Sequence, residues 1–326
     1  VALGALLAVM LGCFQIIFGI ARLGRVAFLM TPAIVAGFTS GAALLIASSQ
    51  LPSALGSDTN GQVIIRAVRA LQAIQTWEPF AILLACGTAA LVLFGRRRFG
   101  RRFPGVLIAV AIAVVIGRSG SYPSTLLGSI PNNLPSVNLD LPWSAIGSVF
   151  LSALVISFVQ FAEPSSIARG FADQNDEPWE ASRELSGQGI ANLTSGLFGG
   201  FPVGGSFSRS SLNRVSGGET RWVGVFVGLL VLAFLPLVSI LETLPKSVLA
   251  ATVIIAVLPL FNFSTLLELA KTSRRDALLG VGTLVCTLVM APRIHYAVMA
   301  AVSVSLSLQG IDKLKERRTA RRHPPR

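Results

Sequence analysis

The residues best able to do chemistry lie between Gly199 and Ser211, read GGFPVGGSFSRSS: hydroxyls at Ser206 and Ser208, a guanidinium at Arg209, and a glycine run broken by Pro202. Glycine and proline keep this chain extended, and a helix is predicted to start near Ser206. The first amides of such a helix have no intrahelical partner and carry the positive end of its dipole. Hydroxyls, amide N–H groups and a guanidinium meeting at one point suit an oxyanion. The candidate binding set is therefore Gly205, Ser206, Phe207, Ser208 and Arg209. Two plainer readings compete with it: the serines are helix-packing residues, and Arg209 extends to a membrane edge. The flanking sequence favours a site. Both neighbours are apolar enough to cross a bilayer, and irregular backbone at membrane depth persists only inside protein or beside water.

A second candidate is Glu163, which follows an uncharged apolar stretch. A carboxylate there is costly unless it titrates, pairs or faces a cavity, which makes it the expected site of a coupling ion, a proton or sodium. The competing reading is an interfacial pair with Arg169. Arg293 and His295 sit in a tight connection and read as a surface residue and a structural one, and His323 belongs to the tail. There is no G-x-S-x-G, P-loop or HExxH pattern and no serine, histidine and carboxylate set, so an enzyme is not expected. Cys13, Cys86 and Cys286 lie far apart in apolar runs, without the spacing of a metal site, and no cofactor is expected beyond the coupling ion.

These residues need a scaffold, and composition says which. The chain of 326 residues is 52% hydrophobic and 13% charged, with a mean hydropathy of +0.70. That is an all-α polytopic membrane protein. The net charge of +12 collects in RRRFGRR at 96–102 and KLKERRTARRHPPR at 313–326. Basic clusters flanking apolar spans mark cytoplasmic loops, and nucleic acid is excluded as a partner. A bilayer core of about 30 Å takes about 20 helical residues. On that measure crossings fall at 1–20, 31–51, 79–94, 103–117, 144–162, 185–198, 222–241, 246–263, 276–292 and 294–308, with a short helix at 206–216 leaving the broken stretch. Residues 52–78 are a polar loop with a short interfacial helix around Arg66 and Arg69, and 170–184 is expected to be solvated. The basic loops then share one side, which puts residue 1 outside and the C-terminus in the cytoplasm of a multi-pass protein of the cell membrane. The first residue, Val1, stands in the middle of an apolar run, so the sequence is expected to continue upstream.

The stretch ANLTSGLFGGFPVGGSFSRSSLNRVSGGET at 191–220 closely resembles the signature of the SulP family of sulfate permeases and anion transporters. Residues 12–51, LPKSVLAATVIIAVLPLF at 244–261 and FAEPSSIAR at 161–169 are similar to family segments in the same order. The resemblance implies a transporter fold of two inverted repeats of seven segments, with core and gate domains, of which this sequence carries segments 4 to 14. Residues 1–28 and 144–243 would form the core, 29–143 and 244–310 the gate, and 311–326 a basic cytoplasmic tail. It also implies an anion held between two facing half-helices, with Gly205 to Arg209 matching the second. The first three segments and the STAS domain that the resemblance implies are not in this sequence, and either the parent protein lacks that domain or the sequence is part of a longer one. The function implied is secondary active transport of sulfate, bicarbonate or a dicarboxylate by alternating access, driven by a cation. The alternatives are a nucleobase-type carrier of the same architecture and a truncated membrane protein that does not transport. The expected partners are a small anion and membrane lipid, and a homodimer is compatible with the fold.

Overall fold

The computed structural model describes residues 2–307, apart from 25–30, 58, 101–102, 121, 131–133, 176–177, 207–208, 211–212, 215–216, 219, 221, 262–266, 269, 272, 292 and 295, and apart from the side chains at 163, 166–167, 170 and 173–175. The described residues hold helices and no strand. They are α1 (Ala2–Ile20), α2 (Pro32–Leu55), α3 (Val63–Gln72), α4 (Pro79–Phe99), α5 (Gly105–Arg118), α6 (Ile146–Asn175), α7 (Ala181–Leu197), α8 (Trp222–Phe234), α9 (Lys246–Val257), α10 (Arg274–Val289) and α11 (Tyr296–Ser307). Among the described residues five spans are long and apolar enough to cross a bilayer: Ala2–Ile20, Pro32–Leu55, Pro79–Phe99, Trp143–Ala162 and Trp222–Thr243. Gly105–Arg118, Lys246–Leu260 and Tyr296–Ser307 are shorter apolar helices. The crossings expected at 185–198 and 276–292 correspond to α7 and α10, which are shorter helices.

The chain divides into two compact units. One takes Val1–Phe38, Pro135–Val223 and Ser264–Arg326, and the other takes Thr39–Leu134 and Gly224–Phe263. In the first, α1 and α7 run against each other along most of their length. Small residues permit this approach. A Cβ added to Gly12 would come within 2.5 Å of the Leu193 backbone nitrogen, and one on Gly189 within 2.8 Å of the Ile16 nitrogen. Lipid tails are as apolar as leucine, so close backbone packing of this kind, rather than burial from water, holds membrane helices together. Leu6 and Val9 of α1 pack with Leu141 and Leu193, and Phe161 of α6 packs with Leu185 of α7. Ile34 of α2 packs with Ala162 of α6 and Val298 of α11.

The second unit is built on α4, α5 and α9. Ala113, Val114, Leu244 and Val248 form one cluster, and Ala54, Ala85, Ala250 and Ala251 another. Extended chain at 125–128 pairs with 242–246 through Leu127 N–H to the Leu244 carbonyl (2.9 Å) and Lys246 N–H to the Thr125 carbonyl (3.1 Å). The short helix expected in the 52–78 loop is α3.

One element departs from expectation. Helix α6 does not stop at Glu163-Pro164 but runs on to Asn175, a length of 30 residues. An internal proline removes one helical hydrogen bond and leaves the carbonyl four residues earlier without a donor. Here that carbonyl belongs to Gln160, and the side-chain amide of Gln188 in α7 donates to it at 3.4 Å. The orphaned acceptor is satisfied from a neighbouring helix, so the helix continues. The stretch expected to be solvated at 170–184 accordingly contains the end of α6 and the start of α7, with Ala172 and Ala181 buried.

Candidate functional site

The broken stretch begins where α7 ends. Phe198 N–H donates to the Thr194 carbonyl at 3.1 Å, and Gly199 follows at φ 74°, a left-handed conformation that glycine adopts without strain. Gly200 N–H returns to the Ser195 carbonyl at 2.7 Å, and the Ser195 hydroxyl donates to the Phe201 carbonyl at 2.7 Å. The chain then runs without helix from 200 to 206. It lies directly on α6. A Cβ on Gly204 would meet Gln160 Cγ at 3.0 Å, and one on Gly205 would meet Pro164 Cγ at 2.8 Å. Glycine at 205 is therefore a requirement of close approach.

Helix resumes at the predicted place. Ser210 N–H donates to the Ser206 carbonyl at 2.9 Å, which makes Ser206 the residue where the first helical hydrogen bond is accepted. Residues 209–210 and 213–214 are helical. Gly205 and Arg209 are exposed and Ser206 is half-buried, so these three candidates come together at the start of the helix. Phe207 and Ser208 lie outside the described residues.

Glu163 lies within α6, one residue before the proline that Gly205 touches. At about 1.5 Å per residue α6 is about 45 Å long, and Glu163 falls within about 4 Å of its midpoint. It sits near the centre of a long helix rather than at a helix end. Its side chain is outside the described residues, as is any pairing with Arg169. Next to it opens a cavity of about 470 Å³ lined by Pro164, Ala168, Phe171, Glu184, Gly205, Ser210, Asn213, Arg214 and Gly218. A water molecule's share of the liquid is about 30 Å³, so the space admits a hydrated small ion. The Arg214 guanidinium lies 5.4 Å from the centre of the Phe171 ring.

Sequence reasoning missed the group that holds the stretch in place. Val203 N–H donates to Asn192 Oδ1 at 2.7 Å. Asn192 Nδ2 in turn donates to Gln15 Oε1 at 3.0 Å, to Gln160 Oε1 at 3.4 Å and to the Gln188 carbonyl at 3.1 Å. Gln15 Nε2 donates to the Ser157 carbonyl at 3.2 Å. Asn192 and Gln15 are both 0% exposed. These amides join α1, α6 and α7 around the midpoint of α6 and fix the backbone of the site to all three. The available signal was the cost of a polar amide in an apolar span, which uncharged Gln15, Gln160 and Asn192 each carry. Among the described residues no cluster of histidine, cysteine and carboxylate side chains could hold a metal ion.

Comparison with known proteins supplies the context for this geometry. Residues 1–283 match the sulfate permease family. A probable sulfate transporter of Mycobacterium tuberculosis strain CDC 1551 is 31% identical over 313 residues, covering 93% of this chain and 55% of its own length. The probable sulfate transporter 4.2 of Arabidopsis thaliana is 31% identical over 319 residues, covering 94% of this chain and 46% of its own. The chain thus spans about half the length of these curated relatives. Among solved structures, the murine solute carrier 26 family member A9 anion transporter in the inward-facing state superposes with a TM-score of 0.86 at 18% identity, over 95% of this chain and 52% of that one. The transmembrane domain of the cyanobacterial bicarbonate transporter BicA does so with a TM-score of 0.77 at 24% identity, over 92% and 76%. At these identities the likeness concerns the fold, which is the inverted-repeat fold expected.

Proposed function

The chain belongs to the sulfate permease family, whose members are anion transporters and not enzymes, and from that premise we propose that it serves secondary active transport of sulfate, bicarbonate or a small dicarboxylate across the cell membrane. The single observation that carries this reading is the helix start at Ser206. It stands at the end of glycine-rich backbone anchored to the middle of α6, with exposed Gly205 and Arg209 beside it. The first-turn amides, the hydroxyls of Ser206 and Ser208 and the Arg209 charge hold the oxyanion. Phe207 is included in the proposed binding set on its sequence position alone. Glu163 takes the coupling proton or sodium ion, because Pro164 beside it is in contact with Gly205 and an ion there feels the anion directly. Residues 1–28 and 144–243 move as the core that carries this wall, against a gate of 29–143 and 244–310. The basic tail at 311–326 faces the cytoplasm, and two copies assemble as a homodimer.

The test is thermal unfolding of the full chain in detergent with sulfate, bicarbonate, succinate, chloride or uracil. A ligand at a hundred times its dissociation constant stabilises by about 2.7 kcal/mol. One oxyanion should raise the midpoint, and Ser206→Ala or Arg209→Gln should shrink that rise without lowering the ligand-free midpoint. A rise with uracil alone would favour the nucleobase-type carrier. No response to any oxyanion would sink the proposal.

A further inference from the structure

Helix α3 is divided by chemistry into three sectors. At about 100° per residue, Ala67 and Ala70 fall on one side and are 4% and 0% exposed, packed on the unit that carries them. Ile64, Val68 and Leu71 line a second side with Ile65 at its edge, all exposed. Arg66 and Arg69 make the third, and the helix, VIIRAVRALQ, contains no acid. A helix exposed to water alone has no use for the second stripe, and one buried in protein has none for the third.

The level at which α3 lies follows from its neighbours. Glu78 N–H donates to the Leu55 carbonyl at 3.0 Å, and a Cβ on Gly56 would come within 2.6 Å of Glu78 Cβ. The last turn of α2 and the first turn of α4 are therefore side by side. Both helices are long and apolar enough to cross a bilayer, so the chain between them emerges at one membrane face. The Trp77 indole N–H donates to the Ala70 carbonyl at 2.7 Å and clamps the end of α3 against that face. Arg69 donates to the Asn60 carbonyl at 3.0 Å, whereas Arg66 Nε is buried with no hydrogen-bond partner. The arginine cluster at 96–98 lies at the far end of α4, about 30 Å away for a helix of this length.

We propose that α3 lies along the bilayer surface, with Ile64, Val68 and Leu71 in the acyl boundary and Arg66 and Arg69 on the phosphates of anionic phospholipid. The three sectors then meet protein, hydrocarbon and headgroup in turn. A lipid surface is the occupant because the exposed stripe is tied to the ends of two spanning helices, at headgroup level, and because two cations without an acid complement anionic phosphate. Each arginine at such a surface strengthens binding roughly fivefold.

The full chain is reconstituted in nanodiscs of phosphatidylcholine and in nanodiscs with a third of the lipid as phosphatidylglycerol, and its thermal midpoint is read in both. Phosphatidylglycerol should raise the midpoint, Arg66→Gln with Arg69→Gln should remove most of that rise, and the corresponding double lysine variant should keep it. Val68→Asn should lower the midpoint in both lipids. An equal rise in the parent and the double glutamine variant overturns the proposal. So does an equal rise when inorganic phosphate is added to phosphatidylcholine discs, or a Val68→Asn variant that melts with the parent.

Discussion

Replacing Asn192 by alanine removes the acceptor of Val203 N–H and the donor to Gln15 and Gln160 in one step. The N–H at 203 is part-buried, and a donor left unsatisfied there costs about 1 kcal/mol, the low end of the usual range. Each interhelical amide contact in a membrane adds about 0.6 kcal/mol. Two of these bring the loss to roughly 2 kcal/mol. For a chain of this size that is about 3 °C in the unfolding midpoint. Because Asn192 holds the backbone entering the site and does not itself reach the anion, the variant should also lose part of the midpoint rise produced by sulfate or bicarbonate. The assay is thermal unfolding of the purified full chain in detergent, with and without oxyanion, beside Ser195→Ala as the control. That serine makes one exposed bond to the Phe201 carbonyl and should cost well under 1 kcal/mol. The reasoning is refuted if Asn192→Ala melts within about 1 °C of the parent, given the scale above, or if Ser195→Ala costs as much.

Two further outcomes follow from the contacts of α6 and α7. Gln188→Leu should cost about 1 kcal/mol in the parent and next to nothing in a Pro164→Ala background, where the restored N–H of residue 164 takes the Gln160 carbonyl; a double-mutant cycle by thermal or chemical unfolding reads the coupling. Gly205→Ala should destabilise by about 1–3 kcal/mol, since its Cβ would overlap the Pro164 ring, while Gly187→Ala, in open space on α7, should stabilise by about 0.5–1 kcal/mol; like signs for the two would contradict the close approach at 205.

Much of the frame was legible because membrane spans are written in composition. The apolar runs marked α1, α2, α4 and the Trp222–Thr243 span to within a few residues, and the arginines among isoleucines at 64–69 marked α3. The helix start at Ser206 was legible too, since glycine and proline act locally on the backbone that they occupy. What was not legible is non-local. Pro164 reads as a stop, and what cancels it is a side chain 28 positions from the Gln160 carbonyl that the proline orphans. The amides that hold Val203 are similarly scattered, with Gln15 and Asn192 separated by 177 positions, and no periodicity links single polar residues on three helices. Glu163 reads as the end of a span, because the polar run after it hides the continuation of α6.

The bond between Gln188 and the carbonyl behind Pro164 also bears on how such sequences diverge. The proline at 164 costs less while a donor stands opposite the Gln160 carbonyl, and a glutamine at 188 has that task only while the proline remains. Relatives that lose the proline should be released from the glutamine as well, and relatives that keep it should retain a side-chain donor there. The two positions are predicted to covary across the family as a physical pair, with the order of loss set by cost: first the proline, then its partner.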